Sequence, residues 1–309
     1  MSYFKKALLM NVLLGLVLWS AKSFSLTFQL PANGDNVVGK VKWTQSLPGD
    51  DFIKVGRRYD IGYYELVEAN PNIDPNLPNP GTVLVIPSRF VIPNVPHKGI
   101  VVSLAELRIY YFPAGTNEVV TYPVGIGREG WNTPIGVTRV LKKVKNPTWV
   151  VPPDIMKWRL EKENGGVQLP KSVPPGPNNP LGGYAFYLGF PGYRIHGTND
   201  PTGVGRRSSS GCIRMWPEDV EELFSSAPVG STVRVINDPF KAGWLDNQVY
   251  LESHTPLEEQ QNMYQTDSAP MRYDVQAVTA NRPAAINWGM AKSVAAQQNG
   301  VPQVIGFSK

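Results

Sequence analysis

Ile195-His196-Gly197-Thr198, followed by Ser209-Ser210-Gly211-Cys212-Ile213-Arg214-Met215, is the stretch that decides how this 309-residue chain is read. Cys212 is the only cysteine, and His196, one of three histidines, precedes it by sixteen positions. Each sits among glycine and small polar residues, which is turn chemistry and not core packing. A thiol nucleophile with its base has this layout, and the reaction type it implies is acyl transfer through a thioester. A free thiol ionises near about 8.5, so a thiolate at neutral pH needs help. His196 within hydrogen-bond reach supplies it, as an ion pair or as a general base, and the other ring nitrogen then needs an acceptor. Tetrahedral intermediates need donors. Gly211 permits a turn that aims the amides of Gly211 and Cys212 at an oxyanion, and Ser209 and Ser210 offer hydroxyls. Arg214 falls on the same side of an extended segment as Cys212 and suits a carboxylate, with a structural ion pair as its alternative role.

Other chemistries meet specific difficulties. A metal site wants several ligands at short spacings, and one cysteine with three scattered histidines offers none, so no metal and no cofactor is expected. His97, between modules, and His254, near the end, read as surface residues. A papain-like protease places its cysteine before its histidine. Gly125-Ile126-Gly127 lacks the strand-to-helix context of a nucleotide site and counts as turn glycine. Arg206 and Arg207 read as substrate charge or solubility.

Residues 1–25 read as a secretory signal: Lys5 and Lys6, an apolar run from Ala7 to Trp19, and small residues at Ser23 and Ser25. The run is short for a bilayer core of about 30 Å, an uncleaved anchor being the alternative. No cysteine stands at the cleavage site, which excludes a lipoprotein signal. The formal charge of +5 includes Lys5, Lys6 and Lys22, so the mature chain carries about +2, too weak a bias for a nucleic-acid partner. Export to the periplasm is expected, and a single thiol left unpaired in an oxidising compartment needs a reason.

The chain divides into modules. Residues 38–88 form a small unit: a strand around Val38 to Trp43, a helix carrying Phe52, Ile53, Val55 and Tyr59, and a second from Tyr64 to Ala69. Asn70-Pro71-Asn72 stops the second helix, and a strand over Gly81 to Pro87 closes the unit. Val91 to Lys98 is a linker. Strands follow at Ile100–Val102, Leu107–Phe112, Val119–Val124, Val137–Val144, Tyr184–Leu188 and Arg194–His196, the first two as a hairpin. Asn146 to Gly183, rich in Pro, Asn and Gly, reads as a long loop that is functional or covers a site. Pro217 to Phe224 is a helix, with proline in its first turn and acids at its N-terminus. Ser231 to Ile236 closes the domain, and residues 238–309 read as a polar extension, partly ordered and without catalytic residues.

The first module resembles a LysM domain through Pro48-Gly49-Asp50, Glu68-Ala69-Asn70-Pro71 and Pro80-Gly81-Thr82-Val83-Leu84-Val85-Ile86-Pro87, with Asp51-Phe52 where that family has leucine. The resemblance implies binding of peptidoglycan glycan. Residues 97–237 resemble the L,D-transpeptidase (YkuD) family, in its LysM-containing, ErfK-like Gram-negative type. The motifs are His196-Gly197-Thr198, Ser209-Ser210-Gly211-Cys212-Ile213-Arg214 and Thr133-Pro134-Ile135-Gly136. Asn146-Pro147-Thr148-Trp149 and Asn179-Pro180-Leu181-Gly182 add to them, and Ser210 stands where many members have histidine.

The implied fold is mainly β: a β-sandwich catalytic domain of L,D-transpeptidase type, preceded by a small α+β (βααβ) LysM-like domain. The implied roles are Cys212 as nucleophile, His196 as proton donor and acceptor, and the Gly197 backbone as orienter of the imidazole. Ser209, Ser210, Gly211 and Arg214 serve the oxyanion and substrate. The implied reaction forms a thioester between Cys212 and the third residue of a peptidoglycan tetrapeptide stem, releases D-alanine, and passes the acyl group to an amine. That amine is a lysine of an outer-membrane protein or belongs to a second stem, giving a 3→3 cross-link. The partners implied are stem peptides, glycan and that acceptor, with carbapenems as covalent inhibitors. An L,D-carboxypeptidase and an inactive glycan-binding protein are the rival readings.

Overall fold

The computed structural model describes residues 25–162, 168–266 and 268–309. The secretory-signal reading of residues 1–25 therefore lies almost wholly outside the described residues. Among those described, no helix is long and apolar enough to cross a membrane.

The chain is mainly β. Nine strands share one sheet in the order 26–29, 118–123, 108–112, 99–103, 232–236, 136–145, 184–188, 194–196, 213–214. The strand Gly136–Lys145 is the corner. Its first half pairs with Thr232–Ile236 and its second with Tyr184–Leu188, with a register shift between Val140 and Lys142. A bulge of this kind bends a strand, so the two halves of the sheet face one another as a sandwich. Ile100, Val102, Ile109, Tyr111, Tyr122, Val233 and Val235 from one half meet Phe186, Leu188, Ile195 and Ile213 from the other. The helix over Pro217–Ser226 adds Val220 and Leu223 to this core.

The strands Gly99–Ser103, Arg108–Phe112 and Glu118–Pro123 are buried on both faces, which explains why they read as near-continuous apolar runs. Side chains alternate across a strand. Ile100, Val102, Ile109, Tyr111, Val120 and Tyr122 point into the sandwich. Val101, Tyr110, Phe112 and Val119 point the other way, into a second core with Phe52, Val55, Ile61, Leu66, Leu84 and Ile86. The small module is thus pressed onto the outer face of the sheet. The expected linker is part of this packing: Arg89–Val91 pairs with Val37–Gly39, and Ile92 is buried.

That small module is a βααβ unit: strand Lys42–Gln45, helix α1 (Phe52–Tyr59), helix α2 (Tyr63–Ala69) and strand Val83–Ile86, the two strands antiparallel. Asp51 caps α1 by accepting from the Lys54 amide at 2.7 Å. Asp60 ends it in the left-handed region at φ 57°. The expected opening strand is split, because residues 37–39 pair with 89–91 while 42–45 pair with 83–86. A buried fork fixes α2 to the sheet: Arg108 Nε and Nη2 donate to Glu65 Oε1 and Oε2 at 2.8 and 2.9 Å, and Nη2 also donates to Asp60 O at 2.9 Å.

Two sequence expectations are corrected. The segment 146–183 is not simply a loop. It carries helix α3 (Pro153–Lys162) and a two-strand pairing of Trp149–Val150 with Ser172–Val173. The low apolar periodicity of Asp-Ile-Met-Lys-Trp-Arg-Leu hides the helix, since most of its face is solvated. After α4 (Pro217–Ser226), which opens with Pro217 at its first turn, residues 240–308 form a third folded unit instead of a polar extension. Strands 240–245, 248–253, 303–308 and 284–286 make an antiparallel sheet in that order. Past the short helix α5 (Gln261–Thr266), helices α6 (Ala269–Thr279) and α7 (Trp288–Gln297) cover one face of it. Phe240, Ala242, Trp244, Leu251, Met271, Val275, Ala291 and Val294 are the core there. The hairpin turns at Asp246-Asn247, with Asp246 at φ 53°.

The three units meet at a buried ionic knot. Lys241 Nζ lies 2.8 Å from both Glu106 and Glu252, and His254 joins Glu252 at 2.7 Å and Glu68 of α2 at 3.2 Å. The Val91 amide donates to Glu252 at 2.5 Å, and Tyr110 donates to Glu106. His254 is therefore not the surface residue expected; it is 2% exposed. Glu106, Glu252 and His254 are also close enough to hold a metal ion, a convergence that counting cysteines and histidines missed. The cation already between the two glutamates is the Lys241 ammonium. His97 is exposed, its ring stacked on Phe112 with centroids 4.7 Å apart.

Candidate active site

Cys212 and His196 come together because their strands are neighbours. Arg194–His196 pairs in parallel with Ile213–Arg214, Ile195 opposite Ile213 and His196 opposite Arg214. Both isoleucines point into the sandwich core, so His196, Arg214 and the adjacent Cys212 share the other face. The Met215 amide donates to His196 O at 2.9 Å and continues the ladder.

His196 is 4% exposed, and its Nδ1 lies 2.6 Å from Gly197 O. A carbonyl only accepts, so Nδ1 carries the proton and Nε2 presents its lone pair. Burial, reinforced by the Arg214 guanidinium, lowers the imidazole pKa to about 3. Cys212 is half-buried. Its Sγ rests 3.8 Å from Gly192 O. Burial pushes the thiol pKa up, while Arg194 and Arg214 pull against it. Among the described residues no hydrogen bond joins thiol and imidazole, so at rest both groups are neutral and no ion pair is held.

The turn before Cys212 is braced from several sides. Gly211 sits at φ +99°, and a Cβ there would come 2.8 Å from Tyr193 Cε1, so only glycine fits. Ser209 is buried; its hydroxyl donates to Cys212 O at 2.5 Å and accepts from the Gly211 amide at 3.1 Å. Thr133 Oγ1 accepts from the Gly127 amide at 3.1 Å and donates to Gly211 O at 2.8 Å.

This corrects the expected oxyanion donors: the Gly211 amide and the Ser209 hydroxyl are consumed inside the turn. The Cys212 amide has no partner among the described residues, and the half-buried Ser210 hydroxyl has none either. Among the described residues Arg214 makes no ion pair; its backbone is exchanged with Gly125 at 2.8 Å in both directions, and its Nε is buried without a partner. Arg206 and Arg207 are both engaged within the fold, though Arg207 also lines the cavity beside the turn. Arg206 lies over the Tyr63 ring of α2 at 3.5 Å, and Arg207 pairs with Glu259 at 2.9 Å and Glu258 at 3.4 Å. Beside the turn, a cavity of about 270 Å³ runs between Gly127, Asn132 and Thr133 on one wall and Leu257, Glu259 and Gln260 on the other.

Sequence reasoning missed Gly192, Arg194 and the bracing hydroxyl of Thr133. Thr133 left a trace in Thr-Pro-Ile-Gly, whereas nothing in the local sequence marks the Gly192 carbonyl, which acts through its position in a turn.

Residues 97–235 match the YkuD description, an L,D-transpeptidase catalytic domain, and residues 48–87 match the LysM domain. The probable L,D-transpeptidase YbiS of Escherichia coli K12 is 41% identical over 240 residues, 75% of this chain and 76% of that protein. The chain belongs to the L,D-transpeptidase family. The probable L,D-transpeptidase ErfK/SrfK of Salmonella typhimurium is 40% identical over 252 residues, 79% of each chain. A solved L,D-transpeptidase from Mycobacterium smegmatis is more distant, at 19% identity and a TM-score of 0.35 over 45% of this chain and 58% of that one. In this L,D-transpeptidase, His196 and Cys212 lie on or next to adjacent strands, and the LysM domain is packed on the catalytic sheet.

Proposed function

We propose that this L,D-transpeptidase works in the periplasm on peptidoglycan tetrapeptide stems, with Cys212 as nucleophile and His196 as its base. The observation that carries this reading is the Nδ1 contact of His196 with Gly197 O, 2.6 Å long, which leaves Nε2 as the unprotonated ring nitrogen on a strand paired with that of Cys212. The thiol proton passes to Nε2 as sulfur bonds to the carbonyl carbon of the third stem residue, a centre such as that of diaminopimelate. The Cys212 amide and the Ser210 hydroxyl receive the oxyanion. The carbon–nitrogen bond to the terminal D-alanine breaks, its nitrogen taking the proton from His196, and a thioester remains. An acceptor amine then attacks the thioester, gives its proton to His196 and releases Cys212 as the thiol. Arg214, which makes no ion pair among the described residues, binds a stem carboxylate.

The acceptor is a lysine amine of an outer-membrane protein or the amine of a second stem. The LysM domain holds the enzyme on glycan and raises the local concentration of stems. Residues 1–25 direct export. Carbapenems acylate Cys212 by the same attack.

The test incubates purified protein with a disaccharide-tetrapeptide, with and without a lysine-ended acceptor peptide, and reads products by mass spectrometry. The expected products are a thioester adduct, free D-alanine and the acceptor conjugate, all absent with Cys212→Ala. D-alanine release by the alanine variant would sink the nucleophile assignment, and release without transfer would make the protein a carboxypeptidase.

A further inference from the structure

Three guanidiniums gather around the catalytic turn, and none makes an ion pair among the described residues. Arg128 Nη2, Arg194 Nε and Arg214 Nε are all buried without a hydrogen-bond partner. Arg194 has a place in the resting site, donating from Nη1 to Gly192 O at 3.1 Å. Arg214 lies on the face of Cys212. Arg128 has no such assignment. Its amide donates to Ser209 O at 3.0 Å, which ties it to the turn. Its guanidinium stands in the angle between two indoles, 5.1 Å from the centre of Trp131 and 4.1 Å from that of Trp158. The rings are 6.5 Å apart and nearly perpendicular. Trp158 belongs to α3, so the helix hidden in the 146–183 segment reaches the catalytic turn by resting on this arginine. Burial and the nearby charges of Arg214 and Arg159 all press Arg128 toward losing its proton. A positive cluster of this kind, left without a counter-ion, is destabilising on its own and is relieved by an arriving anion.

We propose that Arg128, held between Trp131 and Trp158, forms with Arg214 a subsite for a carboxylate of the acyl donor. The inference rests on the acyl-transfer reading of Cys212. The two indoles restrict the guanidinium, so less freedom is lost when its fork meets a carboxylate. The ligand chemistry is a carboxylate close to the scissile bond. A tetrapeptide stem offers it in two places, on the departing D-alanine and on the residues that stay with the enzyme.

The test uses the full chain and three donors: the parent tetrapeptide, one with the terminal D-alanine as its carboxamide, and one with the carboxylate of the retained third residue as its carboxamide. D-alanine or alaninamide release gives KM and kcat for wild type, Arg128→Met, Arg128→Lys and Trp158→Ala. For the parent donor, Arg128→Met is expected to raise KM about tenfold or more with kcat nearly unchanged. One of the two amidated donors raises the wild-type KM by the same factor and shows no further loss in the variant, which names the carboxylate that is bound. Arg128→Lys recovers part of the loss. Trp158→Ala, which leaves the charge in place, raises KM less and keeps the preference for the carboxylate donor, and it provides the same comparison if Arg128→Met does not fold. An equal loss on all three donors, or no change in KM, overturns the subsite. If wild type releases product from none of the donors, the acyl-transfer reading falls and the subsite with it.

Discussion

His196 and His254 are buried to nearly the same degree, 4% and 2% exposed, yet the first is neutral and the second positively charged. His196 faces a backbone carbonyl and two arginines; burial and Arg214 lower its pKa to about 3. At His254 burial also opposes the charge, but hydrogen bonds to Glu252 and Glu68 outweigh it and raise the pKa to about 10. Depth does not set protonation; the partners at that depth do. One histidine is thereby kept neutral, and the other is kept as a cation that ties three folded units together.

The sharpest break between them is in activity. Cys212→Ala is expected to abolish D-alanine release, and His196→Gln to lower kcat by about 10²- to 10⁴-fold, both with a near-wild-type melting temperature. His254→Gln is expected to leave kcat of the folded enzyme within about twofold and to lower stability instead. If His196→Gln kept wild-type turnover, or if His254→Gln lost it while folded, the division of labour would fail.

At the knot, the expected loss is in folding. Lys241→Met leaves Glu106 and Glu252 buried without their shared ammonium, which is expected to cost about 3–5 kcal/mol in urea unfolding. Removing both sides together, as Lys241→Met with Glu106→Gln and Glu252→Gln, should recover a good part of that loss, because the cost lies in the stranded charges. A loss within about 0.5 kcal/mol for the single change would show that the carboxylates are neutral in the folded protein.

The two histidines also predict opposite responses to pH. A histidine whose folded pKa is lowered stays neutral above that value, and a thiol whose pKa is raised stays protonated below its own. The competent pair, neutral base with neutral thiol, is therefore populated from acid pH through neutrality. kcat/KM is expected to be flat between about pH 5 and 8, and an acid limb near 6.5 would point to an ion pair. For His254 the folded pKa lies above the unfolded value of about 6.5. Its stabilisation is fully present below about 6.5 and is lost as pH rises through 10. The wild-type urea midpoint should fall more steeply between pH 7 and 10 than that of His254→Gln.

The same contrast explains what was legible in the sequence. The site around His196 is local: a Gly-Thr turn, a Ser-Ser-Gly-Cys turn and alternating strands carry it in short motifs, and the strands beneath it were readable from β-branched and aromatic runs. The knot around His254 is not. Glu68 and Glu106 lie far in the chain from Lys241 and Glu252, which face each other across one hairpin, and each resembles an ordinary surface charge until the fold buries it. The third unit was missed for a related reason. Phe240-Lys241-Ala242-Gly243-Trp244 and Val249-Tyr250-Leu251-Glu252 do alternate, and Asp246-Asn247 is a hairpin turn between them, but the polar composition around them masked the period. Within the site, the arrangement of donors was not legible either. Whether the Gly211 amide is free or taken up by Ser209 depends on the rotamer of a single serine, and Arg206 and Arg207 found partners in other units.

The smallest expected effect comes from pairing the two arginine forks that join the LysM domain to the catalytic domain. Arg57 donates to Glu218 from Nε and Nη2 at 2.6 and 2.9 Å, the same two-pronged chemistry as Arg108 on Glu65. Their surroundings differ: the side chains of Arg57 and Glu218 are 47% and 29% exposed, those of Arg108 and Glu65 0% and 3%. Water screens the first pair and holds its charges nearly as well when it is broken, so Glu218→Gln is expected to cost about 0.2–1 kcal/mol and less at high salt. Arg108→Met strands Glu65, whose carboxyl burial already pushes toward the neutral form, and is expected to cost about 3–5 kcal/mol with little dependence on salt. Urea unfolding at low and high ionic strength separates the two. Equal losses would mean that geometry alone sets the strength of such a fork, and the argument from partners and burial that distinguishes His196 from His254 would lose its footing.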